Sequence, residues 1–269
     1  MNSMQFTKDS QRQVPVNAIF LDYDGTISPI NVSRVESQVA EETKVILEKL
    51  GKRIPIAIIT SKDPWFVVPR TPFARAWSTI SGLDNIVGKK SIEFSIHSKK
   101  LELLATALES AQLRMTPLGI EVEAKRNSKG QLAAFCVDWR RSKDEKAAEA
   151  CARAFASSLK ALSLAVKNFP GETYFDVFAK RVDKGEAVRK LRRVFGLKSG
   201  VLFMGDSSAD NPAFLASDIS IGVGVDNFEG NAKGLASNYF VSFDSVPKFL
   251  GQLLDNNLFF DSSFACLLP

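Results

Sequence analysis

The stretch Ala18-Ile19-Phe20-Leu21-Asp22-Tyr23-Asp24-Gly25-Thr26-Ile27-Ser28-Pro29-Ile30 constrains this chain more than any other. Ala18 to Leu21 is an uninterrupted apolar run, the pattern of a strand buried on both faces of a parallel sheet. Gly25 and Pro29 end it in a loop. Alternate residues of an extended chain point to opposite sides, so Asp22 and Asp24 share one side if the extended geometry continues past Leu21. Two close carboxylates repel unless a cation or a shared proton relieves them, and a hard divalent cation bound through oxygen is the simplest relief. An aspartate in such a place can act as a covalent nucleophile toward phosphoryl groups. Taken alone, the pair also fits two ordinary turn residues after a strand.

The surrounding pattern selects between these readings. An amphipathic helix is expected over Val35 to Leu50, stopped by Gly51, and a second apolar strand over Ile54 to Ile59. Strand, helix and strand make a βαβ unit and imply a parallel sheet. Pro64, Pro69 and Pro72 break the next segment, leaving a short helix near Phe73 to Trp77 and a short strand over Thr79 to Leu83. From Asn85 the character changes. A helix over Lys99 to Leu118 is followed by period-two alternation in Ile120 to Lys125, a turn at Asn127 to Gly130 and a strand over Gln131 to Trp139, which together read as an antiparallel hairpin. A helix over Lys143 to Leu164 and strands at Leu164 to Phe169 and Thr173 to Phe178 complete a small α+β unit. The α/β pattern then resumes, with helices from Lys184, Asn211 and Val246 and strands at Gly200 to Met204, Ile219 to Val225 and Tyr239 to Val241. The fold class is therefore α/β, a Rossmann-like parallel-sheet core over residues 1–84 and 179–269 with an inserted α+β cap over 85–178. The apolar tail from Phe259 would dock on the core or on a partner.

Composition narrows the function. A chain of 269 residues with 45% hydrophobic residues can bury a core of this size. The net charge of +5 suits an anionic substrate, and no polybasic block points to nucleic acid. The single histidine, His97, argues against a Ser-His-Asp hydrolase unless His97 is itself the base. Cys136, Cys151 and Cys266 are far apart and odd in number, with no zinc or disulfide spacing, so a reducing, cytoplasmic setting is expected. The polar arm from Met1 to Pro15 lacks the apolar region of a signal peptide, and no run approaches the roughly 18 apolar residues of a membrane span. A monomer acting on a small molecule, without nucleic acid or membrane, is the expectation.

Four places share one grammar, an apolar strand or helix start beside small polar residues: Asp22 and Asp24, Thr60 with Ser61, Lys184, and Asp206 with Asp210 and Asn211. In a parallel sheet these ends converge on one edge. Singly, Thr60 reads as a strand-end residue, Lys184 as a solvated lysine, and Asp206 and Asp210 as caps for the helix that follows. Together they suit phosphoryl transfer, where catalysis is mostly positioning and charge stabilisation. Asp22 would attack phosphorus, Asp24 would protonate the leaving oxygen and then activate water, and Thr60, Ser61 and Lys184 would bind phosphoryl oxygens. Magnesium would be held by Asp22, the carbonyl of Asp24 and Asp206, with Asp210 and Asn211 supporting from behind.

These residues resemble the haloacid-dehalogenase superfamily of phosphatases. Its signature Asp-x-Asp-Gly-Thr stands as Asp22 to Thr26, and its later Gly-Asp motif with a second aspartate stands as Gly205, Asp206 and Asp210. The resemblance implies the same roles, a magnesium requirement, and a C2-type cap that selects the leaving group. Within the superfamily the chain is most similar to the trehalose-6-phosphate phosphatases, through Asp22 to Ile30, Val122 to Lys125, Phe135 to Arg140, Gly171-Glu172 and Asp183 to Gly185. That likeness implies that Glu123, Lys125, Arg140 and Glu172 meet sugar hydroxyls, although charged residues on a hairpin surface fit the same pattern. Three departures bear on the sugar. Asp138 stands where that family has histidine, Thr60-Ser61-Lys62 where it has Ser-Gly-Arg, and Ser207 where it has a second aspartate, as in the sucrose-phosphate phosphatases. Sucrose phosphate, mannosyl-phosphoglycerate, a smaller sugar phosphate, or a sugar-phosphate-binding domain without turnover stay open beside trehalose 6-phosphate.

Overall fold

The computed structural model describes residues 13–30, 32–92, 96–168, 173–224 and 234–267, so the expected arm before residue 13 lies outside them. In chain order the strands and helices are β1 (Val14–Pro15), β2 (Ala18–Leu21), α1 (Glu41–Arg53), β3 (Ile56–Ile59), α2 (Pro64–Val67), β4 (Ala76–Thr79), β5 (Asp84–Val87) and β6 (Lys90–Ile92). Next come α3 (Ser98–Met115), β7 (Glu121–Arg126), β8 (Leu132–Asp138), α4 (Glu145–Ala161), β9 (Ala165–Asn168) and β10 (Tyr174–Phe178). The last part holds α5 (Lys184–Val194), β11 (Val201–Gly205), α6 (Asn211–Leu215), β12 (Ile219–Gly224), β13 (Tyr239–Ser242), α7 (Val246–Asp255), β14 (Phe259–Phe260) and β15 (Cys266–Leu267).

Nine strands form one sheet in the order β15-β13-β12-β11-β2-β3-β4-β5-β6. From β13 to β4 every pairing is parallel, and the antiparallel strands β15, β5 and β6 lie at the two edges. β2 sits in the middle, and all four of its residues are fully buried. One face is covered by α1 and α7, which bring Leu47, Leu50, Phe249 and Leu253 onto the sheet. The other is covered by α5 and α6 through Val188, Leu191 and Phe214. Helices on both faces explain why the parallel strands are continuous apolar runs.

Four more strands make a separate antiparallel sheet, β7-β8-β10-β9. Its residues alternate. Phe135, Val137, Phe175 and Val177 pack against α3 and α4, and the intervening positions form the opposite face. One row of that face crosses all four strands, pairing Glu123 with Cys136, Cys136 with Asp176 and Asp176 with Lys167.

Several elements differ from the sequence expectation, each for a local reason. α1 begins at Glu41 rather than Val35, because residues 33–37 fold back over the first loop, where Ser37 Oγ meets Ser28 Oγ at 3.0 Å. Gly51 lies within α1 and does not stop it. A Cβ there would come within 2.9 Å of the Phe73 carbonyl, so this glycine permits a close crossing. The short helix expected near Phe73 is α2 instead, started by Pro64 at its first position and by Asp63, whose Oδ1 accepts from the Phe66 amide at 2.9 Å. Trp77 belongs to β4. The hairpin of β5 and β6 straddles residue 85, where the sequence pattern places the start of the insert, and is bonded to the large sheet. Val225 lies outside the described residues.

The tail docks on the chain's own core. Phe259 and Phe260 pair with Pro15 and Val14, and the buried Phe260 ring meets Tyr239 edge-on at 4.8 Å between centroids. Phe260→Ala should therefore cost about 3 kcal/mol in urea unfolding, the ordinary loss for a buried phenylalanine. A loss below about 1 kcal/mol would show that the tail contributes little to the core.

Candidate active site

β11, β2 and β3 are neighbours in the middle of the sheet, and their carboxyl ends deliver Asp206, Asp22 and Thr60 to one edge. The chain runs outward from β2 in both directions, so this is the switch point at which open α/β sheets bind ligands. Tyr23 points away from its two aspartate neighbours into the core, where its hydroxyl donates to the Ser37 carbonyl at 2.8 Å. Asp22 and Asp24 both face the cleft at the sheet edge. Gly25 has φ of +70°, and a Cβ there would stand 2.2 Å from Asp206 Oδ2, so only glycine lets the first loop close over the Asp206 carboxylate.

Lys184 opens α5 beneath these carboxylates. It is 3% exposed, with Nζ 2.6 Å from Asp210 Oδ1 and 3.0 Å from Asp22 Oδ2. Burial alone would lower its ammonium, but Asp210 and Asp22 outweigh that and hold it above the ordinary lysine range. Burial pushes the Asp22 carboxyl up from 3.8 to about 7, with Lys184 pulling against it and Asp210 adding to it. Asp206 is raised well above the ordinary range by burial, then by Asp210 and Asp22. One carboxylate oxygen from each of Asp22, Asp206 and Asp210 lies within 4.8 Å of the other two. This all-oxygen donor set, with more negative charge than Lys184 can offset, fits a hard divalent cation. Asp210 also caps its own turn, since its Oδ2 accepts from the Ser207 amide at 3.2 Å. Asp210 thus caps its own turn and holds Lys184 at once.

The other expected residues fall into three groups. Ser61 and Asp24 line the cleft, and Asp24 pairs with Lys62 at 3.2 Å and accepts from Ser37 at 3.3 Å. Thr60 is 1% exposed behind them, its Oγ1 accepting from the Lys62 amide at 3.2 Å. Glu123, Lys125 and Arg140 line the same cleft from the antiparallel sheet. Glu123 pairs with Arg34. Lys125 is buried, with Nζ 2.7 Å from Asp176 Oδ1, and Arg140 Nε lies 2.8 Å from Asp138 Oδ2. Asn211 turns away, bonding the Gly234 carbonyl at 2.7 Å and the Ala236 amide at 2.8 Å. Glu172 lies outside the described residues.

The cleft thus runs between the two sheets and has a volume of about 220 Å³. Direct bonds span the same gap nearby. Arg34 reaches Glu123, Trp65 Nε1 donates to the Asn127 carbonyl at 3.2 Å, and the Ser128 amide donates to Asp84 at 2.7 Å. Arg34, Lys62, Lys167 and Tyr174 are among the lining residues to which the sequence reading gave no role. Extending the period-two alternation through β9 and β10 would have placed Lys167 and Tyr174 on the cleft face. Arg34 sits in an irregular loop and has no such signal.

The shifted carboxyls set a pH dependence. Without metal, Asp22 and Asp206 hold protons in the folded chain that they lose on unfolding, so stability falls as pH rises from about 4 toward about 7. A divalent cation held by these carboxylates would displace those protons. Magnesium should raise the melting temperature more near pH 8 than near pH 5. An equal shift at both would contradict a carboxylate-bound cation.

The comparisons with known proteins agree with this architecture. The sequence profile of a family described as haloacid dehalogenase-like hydrolase matches residues 106–246, just over half of the chain. Asp22 and Asp24 lie before the matched segment, while Lys184, Asp206 and Asp210 lie within it. A search of curated protein sequences finds no match. Among solved structures, a trehalose-6-phosphate phosphatase related protein is 20% identical, covers 89% of this chain and 98% of its own, and has a TM-score of 0.68. The C-terminal domain of trehalose-6-phosphate phosphatase from C. albicans is 19% identical, with coverage of 90% and 93% and a TM-score of 0.70. A subclass IIB sugar phosphatase of the HAD superfamily is 16% identical, with coverage of 90% and 100% and a TM-score of 0.62. At these identities the likeness is one of fold.

Proposed function

The chain belongs to the haloacid dehalogenase-like hydrolases, and on that footing we propose that it is a magnesium-dependent sugar-phosphate phosphatase that works through an aspartyl phosphate at Asp22, with trehalose 6-phosphate as substrate. The observation that carries the reading is the buried Asp22 carboxylate, paired with Lys184 at 3.0 Å, at the floor of a cleft whose opposite wall is a face of polar side chains. A small anionic ester fits that enclosure. The expected core of residues 1–84 and 179–269 then gains the β5–β6 hairpin, which is bonded to the large sheet, and the cap begins after Ile92 and runs to residue 178.

In this mechanism a carboxylate oxygen of Asp22 forms a bond to phosphorus as the bond from phosphorus to the sugar oxygen breaks. Asp24 gives that leaving oxygen a proton. A water then loses a proton to Asp24 and attacks phosphorus, releasing phosphate and restoring Asp22. Lys184 and Ser61 hold the phosphoryl oxygens, with Thr60 shaping the loop between them. Lys62, which pairs with Asp24 at 3.2 Å, takes a phosphoryl oxygen as substrate enters, leaving Asp24 to carry its proton. Asp22 and Asp206 are the side chains that would hold magnesium, and the ion when bound would supply positive charge that offsets the carboxylate and phosphoryl charges. Asp210 keeps Lys184 in place.

Glu123, Arg140 and Tyr174 on the cleft wall offer donors and acceptors to sugar hydroxyls. Trehalose 6-phosphate is favoured by the motif likeness and by two neighbours that cover most of this chain, one named a trehalose-6-phosphate phosphatase and the other a protein related to it. A smaller sugar phosphate is the second reading, because a cleft of about 220 Å³ lies below the range of roughly 300–1,000 Å³ usual for small-molecule pockets.

Phosphate release from a panel of sugar phosphates, with magnesium and with a chelator, separates the readings. The proposal expects metal-dependent turnover led by trehalose 6-phosphate. A monosaccharide phosphate in the lead selects the second reading, and no turnover on any substrate overturns both. Asp22→Asn should lower kcat by about a thousandfold or more while the protein stays folded. Retained turnover would exclude the aspartyl phosphate.

A further inference from the structure

A second pocket, of about 270 Å³, lies on the reverse side of the turn at residues 80–82. Its wall carries five cationic side chains, Lys180, Arg181, Arg189, Lys190 and Arg193, against two carboxylates, Asp183 and Glu186. The whole chain has a net charge of only +5, so this is a strong local concentration. The two acids do not neutralise it. Asp183 caps α5 through the Gly185 amide at 2.7 Å and pairs with Arg189 at 3.7 Å. Arg181, Lys190 and Arg193 form no ion pair with another described residue. Burial, then the charges of Lys180 and Arg193, hold the Lys190 ammonium below the ordinary lysine range. Among the described residues, Arg181, Lys190 and Arg193 therefore crowd a concave space without an ion pair of their own, Asp84 and Glu186 acting on Lys190 only through space, the arrangement that a bound anion relieves.

The pocket adjoins the cleft without being part of it. Ser81 lines both. The turn between them is left-handed at Ile80, Ser81 and Gly82, with φ of 50°, 55° and 99°. A β-branched residue in that region is a genuine outlier and needs support from its surroundings. The support comes from the catalytic loop: the Ile80 amide donates to the Lys62 carbonyl at 2.9 Å and the Ser81 amide to the Thr60 carbonyl at 2.8 Å. On the far side, a Cβ on Gly82 would stand 3.3 Å from the Asp183 carbonyl, next to Lys184. A ligand seated here would rest against the backbone that positions Thr60, Lys62 and Lys184.

We propose that this basic pocket is a binding site, separate from the cleft, for a small anion carrying phosphate groups. Three of the five cations are arginines, and their planar guanidinium groups suit phosphate oxygens. The concave shape favours a small molecule over an extended polyanion. The inference does not depend on which ester the cleft hydrolyses.

Inorganic pyrophosphate serves as the probe, titrated calorimetrically into the full chain with a chelator present. Lys190→Gln with Arg193→Gln should weaken binding at least about tenfold, since both charge-assisted contacts to phosphate oxygens are lost. The same double variant should melt no lower than the parent, because it relieves repulsion and breaks no ion pair among the described residues. Lys62→Ala, on the cleft side, should leave affinity within about twofold. Hydrogen exchange should show protection by pyrophosphate over residues 80–84 and 181–190. Unchanged affinity in the double variant overturns the proposal, as does protection confined to residues 22–26 and 206–210. A single-stranded oligonucleotide that binds through Lys190 and Arg193 more tightly than pyrophosphate would also overturn it, assigning the patch to nucleic acid.

Discussion

The site depends on one buried ammonium. Lys184 lies between Asp22 and Asp210, at 3.0 and 2.6 Å, in a place with almost no solvent. Removing one partner of such a group typically costs about 3–5 kcal/mol, because a charge is left uncompensated. Its position follows from backbone architecture. α5 begins under the carboxyl ends of β2 and β11, and the residue before it, Asp183, caps its first turn. Gly205 precedes the loop that returns Asp210 to the lysine, and a Cβ there would stand 2.6 Å from the Asp210 carboxyl carbon. Burial is what chiefly raises Asp22 and Asp206, and three carboxylates gathered against one cation suit the site to a divalent ion.

The antiparallel sheet supplies the other half of the cleft by the simplest rule of strand geometry. Alternate positions of β7, β8 and β10 pack on α3 and α4; of the remainder, Glu123, Lys125, Cys136, Asp138 and Tyr174 line the cleft, while Ala134 and Phe178 pack with Ile80 and Leu83. That face is itself held rigid. Lys125 and Asp176 form a buried pair at 2.7 Å, and Arg140 is fixed by Asp138. Asp138 stands where the trehalose-6-phosphate phosphatases have histidine, so the change places a carboxylate under the arginine rather than leaving a gap. Glu123 instead bonds across to Arg34, so under the proposed function a sugar hydroxyl would have to compete with that pair for the carboxylate.

The sheet and the carboxylate cluster were legible in the sequence because each rests on a local pattern. Ala18 to Leu21 has no polar residue and could only be an interior strand. Asp22, Thr60 and Asp206 each follow such a run, and a parallel sheet brings their ends together whatever the loops do. What escaped was set by tertiary contact. Gly51 reads as a helix stop, yet it is a crossing point with the Phe73 backbone. Trp77 reads as part of a helix, yet its indole donates to Thr71 at 2.8 Å from within β4. Asn211 reads as support for the carboxylates, yet its amide bonds residues 234 and 236. Arg34 meets Glu123 from a loop with no periodicity, and nothing short of the fold places it there.

The central claim is that Asp22 becomes covalently phosphorylated, and mass spectrometry of acid-quenched protein tests it directly. During turnover of a sugar phosphate with magnesium, the peptide containing Asp22 should carry one added phosphoryl group, located on Asp22 by fragmentation and absent from Asp22→Asn. Turnover with no phosphorylated peptide, or with the group on another residue, would contradict the account.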